Sequence, residues 1–199
     1  MNKCIKLLAK KKLNITFLES ASAGYLAYRF SQNKYSGDIL YGGLICYDMK
    51  VKENILKIKP EFIKKYTPES IEVTEEIVRK AKKIFNSDLH IACTGLLKKG
   101  GSETKEKPVG TFFYVISYRD KIHSFQFFCK GKPEEKLKKL VKSINLSLIE
   151  IIVGVGKSKG KNSSLQAFRT VRIFRTFRVL RVARLLRSLQ SMQLIMAVI

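Results

Sequence analysis

The sequence has few of the residues that bind metals or form disulfides. It has no tryptophan, only two histidines, and four widely separated cysteines without a Cys-x-x-Cys pair: Cys4, Cys46, Cys93 and Cys129. This spacing gives no zinc or redox motif, and we predict no structural metal and no cofactor. The N-terminus lacks an apolar run long enough for a signal peptide. Reduced thiols in a cytoplasmic domain are therefore expected.

Acidic residues are absent from the last part of the chain. The net charge is +23, and all 16 acidic residues precede residue 157. Arginine is scarce before that point, where lysines occur in runs such as Lys10–Lys12 and Lys98–Lys99. Such runs usually form a solvated face, and contact with a polyanion is the alternative. We expect no specific nucleic-acid ligand.

Helical and strand patterns alternate along residues 1–153. Strands are predicted at 14–20, 39–47 and 88–95, followed by a hairpin that turns at Arg119–Lys121. Amphipathic helices precede, separate and follow these strands. This order predicts a three-layer α/β/α sandwich with a mixed sheet, because the hairpin adds antiparallel strands.

Two local patterns refine this prediction. A helix is predicted to begin at Thr67, which can cap it, with Pro68 in the first position and Glu69 at the positive end of the dipole. The paired glycines Gly42–Gly43 inside a strand predict a close approach by a neighbouring backbone.

Three loops that follow predicted strands carry residues suited to an anion. The loop Glu19–Gly24 leads into a helix, so its backbone N–H groups are predicted to face an anion. The loop Cys93–Gly110 combines glycine, hydroxyls and lysine, which suits a phosphate. The loop Cys46–Lys52 places Tyr47 and Lys52 just after a strand. Each loop alone is more often a plain turn, and only their combination indicates a site.

In this order the loops resemble the C-terminal domain of the CinA family, the nicotinamide mononucleotide amidohydrolases. The similarity covers about residues 5–153. The first loop is similar to a Glu-Ser-Cys-Thr-Gly-Gly motif, and the second to a Gly-x-x-x-Tyr-Ser-Asn-x-x-Lys stretch. The matching residues are Glu19, Ser20 and Gly24, then Gly43, Tyr47 and Lys52, then Thr94-Gly95, Gly100-Gly101-Ser102 and Lys107-Pro108-Val109-Gly110-Thr111.

The resemblance implies hydrolysis of the carboxamide of nicotinamide mononucleotide, giving nicotinate mononucleotide and ammonia without a metal. It implies a serine nucleophile with a lysine and a tyrosine nearby, here Ser36, Lys52 and Tyr47. A desolvated lysine with a lowered pKa can accept the serine proton. The residues expected to bind the substrate are Glu19, Ser20, Ser22, Gly24, Thr94, Gly95, Gly101, Ser102 and Lys107.

The sequence departs from the family pattern at the nucleophile. The family serine falls at Gly37, and Ser36 lies one residue earlier. A family Gly-Asp-Arg is replaced by Gly131-Lys132-Pro133, and an asparagine by Met49. Two interpretations remain open. One is an active amidohydrolase that uses Ser36 or a shifted loop, and the other is a nucleotide-binding relative that has lost the reaction.

The segment 165–199 carries arginine at every third position from Arg169 to Arg187. On an α-helix this period carries the charges around the axis, and on a 3₁₀-helix it aligns them in one row. The pattern resembles the charge-bearing helix of a voltage-gated channel sensor. A cationic helix that binds nucleic acid or lipid is the alternative.

The tail is not expected to span a membrane alone. Seven central arginines cost about 3 kcal/mol each, on the order of 20 kcal/mol together, whereas the apolar residues return roughly 10. We therefore predict a domain at 1–153, a flexible linker at 154–164, and a helical tail at 165–199 that derives from a non-functional channel fragment. We expect a homo-oligomer with a small phosphorylated nucleotide as ligand, and a tail that contacts anionic lipid or aggregates.

Overall fold

A computed structural model describes residues 1–119 and 121–154. Five strands form one sheet: β1 Ile15–Glu19, β2 Leu40–Ile45, β3 Leu89–Gly95, β4 Thr111–Tyr118 and β5 Lys121–Phe128. The helices are α1 Asn2–Lys10, α2 Tyr25–Ser31, α3 Ser36–Ile39, α4 Met49–Asn54, α5 Pro60–Tyr66, α6 Ile71–Ala81 and α7 Pro133–Val153. The predicted tail 165–199, and all of the predicted linker beyond Gly154, lie outside the described residues.

The strands lie in the order β2-β1-β3-β4-β5. Strand β1 is parallel to both β2 and β3, whereas β3–β4 and β4–β5 are antiparallel. The predicted mixed sheet and hairpin are therefore confirmed. Because β1, β2 and β3 run in the same direction, the loops that follow them all leave the same edge of the sheet.

Residues of the strands pack into two hydrophobic clusters, one on each face of the sheet. Ile15 and Phe17 of β1 face the cluster that includes residues of α1, α2 and α7. Leu18 faces the other cluster, which includes residues of α5 and α6. Burial of these apolar side chains is the main favourable term for such a layered fold. The three predicted layers are thus confirmed.

The start of α6 differs from the prediction. The helix begins at Ile71, and Ser70 caps it by accepting a hydrogen bond from the Val73 N–H. Thr67 has a φ of 68°, in the left-handed region, so it cannot be the cap of the next residues. The cap prediction at Thr67 was therefore wrong. Three short helices, α3, α4 and α5, were not predicted at all.

Gly43 confirms the predicted close approach between strands. A Cβ atom at this position would lie 2.7 Å from the backbone oxygen of Phe17 on β1. Real Cβ atoms do not approach a carbonyl oxygen so closely, so only glycine fits without a shift of β2. Gly37, by contrast, has no atom within 4 Å of an added Cβ.

Candidate functional site

The predicted binding loops converge at the carboxyl edge of the parallel strands. Glu19 ends β1, Tyr47 follows β2, and Gly95 ends β3. The main chain joins them directly, because Cys46 donates its N–H to the Glu19 carbonyl and Ser20 donates its N–H to the Cys93 carbonyl. Ligands of open α/β sheets bind at this edge. The structure thus brings together the three loops that were predicted from the sequence to bind an anion.

Glu19 caps helix α2 with a buried carboxylate. Its Oε2 accepts hydrogen bonds from the N–H groups of Gly24 and Leu26, both at 2.9 Å, and its Oε1 accepts one from Ala27 at 2.8 Å. Ser22 donates its hydroxyl proton to the same Oε2 at 2.6 Å. The N–H groups predicted to face an external anion therefore bind the carboxylate of the chain itself.

Two buried cysteines line the same edge. Ser22 gives its single hydroxyl proton to Glu19, so in the 2.9 Å contact between Ser22 Oγ and Cys93 Sγ the thiol is the donor. Burial raises the pKa of Cys93 to about 12 and that of Cys46 to about 11. Neither thiol is ionised at neutral pH, so neither is a ready nucleophile.

Lys52 is a buried lysine whose amine contacts the end of β2. Its Nζ donates hydrogen bonds to the carbonyl oxygens of Cys46 at 2.6 Å and Tyr47 at 3.1 Å. The residue is 1% exposed, and this burial lowers the pKa of the amine below its usual 10.5, although the charges of nearby groups such as Glu69 oppose the shift. Tyr47, in contrast, is 61% exposed.

Thr94 is part of a chain of hydroxyls that links β3 to α6. Thr74 donates its proton to the Ser70 carbonyl at 2.6 Å, so Thr94 must be the donor in its 2.7 Å contact with Thr74. Thr94 is therefore left with acceptor capacity only. At the next residue, Gly95, a Cβ would lie 2.6 Å from the Phe112 ring, so a side chain does not fit.

Glu69, which was predicted only to favour the positive end of a helix dipole, organises the third loop. Ser102 donates its hydroxyl to Glu69 Oε2 at 2.5 Å and accepts from Lys107 Nζ at 2.7 Å. Lys107 also donates to the Thr67 hydroxyl and the Glu69 carbonyl, each at 2.9 Å. Burial lowers the pKa of Lys107, and the charge of Glu69 opposes that shift. A lone glutamate before a helix gave no signal of this role.

The glycine pair in the third loop already binds a carboxylate. Gly100 and Gly101 donate their N–H groups to the two oxygens of Glu103, at 2.9 and 2.8 Å. These hydrogen bonds lower the pKa of Glu103, which is fully exposed. Consecutive N–H groups that converge on one anion are the geometry of a phosphate site. An added Cβ at Gly101 would lie 2.5 Å from Leu96 Cδ2, so a side chain there would require the Leu96 side chain to move.

Ser36 lies apart from the other predicted catalytic residues. Ser36 begins α3, which leads into the first residue of β2. Tyr47 and Lys52 come after the last residue of β2. Six residues of extended chain span about 20 Å. Within one chain, Ser36 and Lys52 therefore lie at opposite ends of strand β2.

Residues 1–119 and 121–154 contain no group of three or more His, Cys, Asp or Glu side chains placed to hold a metal ion. No helix within these ranges is both long and apolar enough to cross a membrane.

The fold and the site together define a class of protein. It is an α/β/α domain with a mixed five-stranded sheet, a buried lysine and a glycine-rich loop at the carboxyl edge of its parallel strands. The family model of the CinA C-terminal domain matches residues 1–151. The chain therefore belongs to this family, and the arginine-rich segment lies beyond the matched region.

Named relatives agree with this assignment. A CinA-like protein of Prochlorococcus marinus is 34% identical over 137 residues, which cover 68% of this chain and 32% of that protein. A CinA-like protein of Pseudothermotoga lettingae is 33% identical over 114 residues, covering 57% of this chain and 28% of that protein. The chain thus matches about a third of the length of these curated relatives.

Solved structures show the same fold. A CinA superfamily protein from Klebsiella pneumoniae superposes with a TM-score of 0.71 at 20% identity, covering 76% of this chain and 94% of that one. One from Escherichia coli gives a TM-score of 0.68 at 22% identity, covering 73% and 84%. At these identities the likeness concerns the fold alone.

Proposed function

We propose that the domain hydrolyses the carboxamide of nicotinamide mononucleotide, giving nicotinate mononucleotide and ammonia. Membership of the CinA family is the background for this proposal. The observation that carries it is Lys52, a buried amine of lowered pKa at the edge of the sheet where ligands bind. Enzymes use lysines of this kind as proton acceptors.

The hydrogen bonds of Lys52 suit a neutral amine. A neutral amine has two N–H donors, which match the carbonyl oxygens of Cys46 and Tyr47. Its remaining lone pair is then free to accept a proton. Because the two carbonyls hold the nitrogen in place, proton transfer needs little reorganisation of the base itself.

The reaction then follows the balance of amide hydrolysis. A serine Oγ, assigned to Ser36, forms a bond to the carboxamide carbon while its proton passes to Lys52. Because Ser36 and Lys52 lie about 20 Å apart within one chain, this step needs the serine of a second copy of the chain. The C–N bond breaks, and Lys52 returns the proton to the leaving nitrogen, which departs as ammonia. Water then attacks the acyl-serine ester, releasing the carboxylate product and regenerating the serine hydroxyl.

The glycine pair Gly100–Gly101 of the third loop is the proposed binding site of the nucleotide phosphate. Glu103 occupies the Gly100 and Gly101 N–H groups but is itself fully exposed, so an incoming phosphate can displace it without unfolding the loop. Lys98 and Lys99 precede the glycine pair and add positive charge. A phosphate dianion gains more than a carboxylate from such a site.

A second candidate is a nucleotide-binding protein without turnover. Gly37 stands where the family nucleophile is expected, and glycine has no side chain to attack with. Open space surrounds its Cβ position. This candidate keeps the phosphate site and predicts binding without release of ammonia.

Calorimetry with the full chain tests the phosphate site. Nicotinamide mononucleotide is expected to bind, and nicotinamide riboside, which lacks the phosphate, to bind much more weakly. Glu103→Ala should tighten the binding of the mononucleotide several-fold, because it removes the carboxylate that competes for the two N–H groups. Glu106→Ala, an exposed change in the same loop, is the control. Equal affinity for the two ligands, or no effect of Glu103→Ala, contradicts the assignment.

A further inference from the structure

The edge strand β2 carries no charge in a protein that is rich in lysine. The nine residues from Ile39 to Tyr47 contain no charged residue and no proline, although the chain has 39 lysines and arginines. Proteins usually protect an exposed edge strand with charge or proline. The other edge strand, β5, fits that rule, since it begins at Lys121 and is followed by Lys130.

Exposed apolar side chains are concentrated in the part of the chain that contains β2. More than half of the exposed large apolar side chains in the described residues come from the segment 28–55, which runs from α2 to the residue after α4: Tyr28, Tyr41, Ile45, Tyr47, Met49 and Ile55. We call this group the β2 patch. An apolar patch beside an unpaired strand edge is typical of a surface that another polypeptide covers.

The backbone of β2 is suited to a further strand. Leu40 and Gly42 pair with consecutive residues of β1, so Tyr41 forms a bulge and Gly42–Ile45 is the regular part. Among the described strands, only β1 pairs with β2. The outer N–H and C=O groups of Gly42–Ile45 are therefore available for a ladder on the open side.

The catalytic set proposed above is incomplete within one chain at this same strand. Ser36 precedes β2, and Tyr47 and Lys52 follow it. Antiparallel pairing of β2 with a copy of itself reverses one strand relative to the other. The beginning of each β2 then lies beside the end of the other β2. Ser36 of one copy is therefore no longer separated from Lys52 of the other by the length of about 20 Å that separates them within one chain.

We propose that β2 pairs antiparallel with β2 of a second copy across a two-fold axis, placing Ser36 of the partner subunit beside Tyr47 and Lys52. The two five-stranded sheets join into one, and each dimer has two equivalent composite sites, as two-fold symmetry requires. The role given to Ser36 rests on the proposed function, whereas the interface rests on the strand and the β2 patch alone.

A second copy fits this edge better than the tail 165–199 does. The tail would bring arginine at every third position to a strand whose nine-residue segment offers no acidic partner. Burying unpaired arginines against apolar side chains is costly. A second β2, by contrast, supplies the same uncharged backbone edge and apolar side chains to both sides, which makes the surface self-complementary.

The mass of the full chain in solution tests the interface. Sedimentation should give a dimer of the 22.8 kDa chain. Tyr41→Lys adds a charge to the edge and should yield folded monomers, whereas Ile122→Lys on the opposite edge strand should leave the dimer intact. Hydrogen exchange offers a test without a variant, since the amides of Gly42–Ile45 that face away from β1 should lose protection on dilution, whereas those paired with β1 should keep it. A monomeric wild type, or an assembly that survives Tyr41→Lys, overturns the proposal.

Mixing two inactive variants tests the contribution of the partner subunit. Ser36→Ala and Lys52→Met should each be inactive, and an equal mixture should recover about one quarter of wild-type activity, since half of the dimers then carry one intact site of two. No recovery, or full activity of Ser36→Ala alone, overturns the composite site. If the wild type releases no ammonia, the proposed function fails while the mass measurement still decides the interface.

Discussion

Replacing Lys52 with methionine is expected to lower kcat/KM for nicotinamide mononucleotide by about 10³-fold, the scale for loss of a positioned general base. Methionine fills similar space but cannot accept the serine proton. Because Lys52 contacts only main-chain carbonyls in its hydrogen bonds, the affinity for the nucleotide should change much less than kcat. Ammonia release under single-turnover conditions measures the effect.

The pH profile adds a second readout for Lys52. Burial lowers the pKa of this amine, so its active neutral form accumulates at a lower pH than for an exposed lysine. The rate should therefore rise with pH through a value below 10.5, and Lys52→Met should remove that limb. Lys50→Met changes an exposed lysine of the same helix and serves as the matched control. A Lys52→Met enzyme with wild-type kcat contradicts the assignment.

Replacing Glu19 with alanine is expected to lower the free energy of unfolding by about 3 kcal/mol or more. The substitution removes the acceptor of the buried Leu26 N–H, of the partly buried N–H groups of Gly24 and Ala27, and of the Ser22 hydroxyl. Chemical denaturation followed by circular dichroism measures the change. Glu19→Gln keeps one acceptor oxygen and should cost less.

A control separates this effect from a general loss of negative charge. Glu106 is exposed, so Glu106→Ala should change the unfolding free energy by no more than about 0.5 kcal/mol. Glu19 acts as a positioning residue for the first loop, because its carboxylate binds only groups of the chain itself. Wild-type stability of Glu19→Ala, combined with lost nucleotide binding, contradicts that view and makes Glu19 a direct contact.

The alternation of helices and strands could be read from the sequence, but the short helices could not. Helices α3, α4 and α5 have four to seven residues, too few for a 3.6-residue period to repeat convincingly. The start of α6 was misplaced because Thr67-Pro68-Glu69 and Ser70 both offer a cap, and only the backbone at Thr67 separates them. Local propensity does not decide between such neighbouring caps.

The candidate site was only partly predictable for a related reason. Loops that follow parallel strands meet at one edge, so the convergence of Glu19, Tyr47 and Gly95 followed from the strand order. The large distance between Ser36 and the other residues did not follow from it. Ser36 lies only eleven residues before Tyr47 in the sequence, but the extended strand β2 lies between them. The role of Glu69 was missed because its partner Ser102 lies 33 residues away in the chain. The role of Glu103 was missed because its contacts to Gly100 and Gly101 depend on the local turn of the loop, which the residue types alone do not specify.

Ammonia release from nicotinamide mononucleotide by the full chain tests the central claim most directly. The wild type should produce ammonia and nicotinate mononucleotide in equal amounts. Gly37→Ser, at a position with open space for a side chain, should turn over at least as fast as the wild type, because it adds a second hydroxyl beside Ser36. Nucleotide binding without any ammonia, in the wild type and in Gly37→Ser alike, would contradict the account and leave a binding protein.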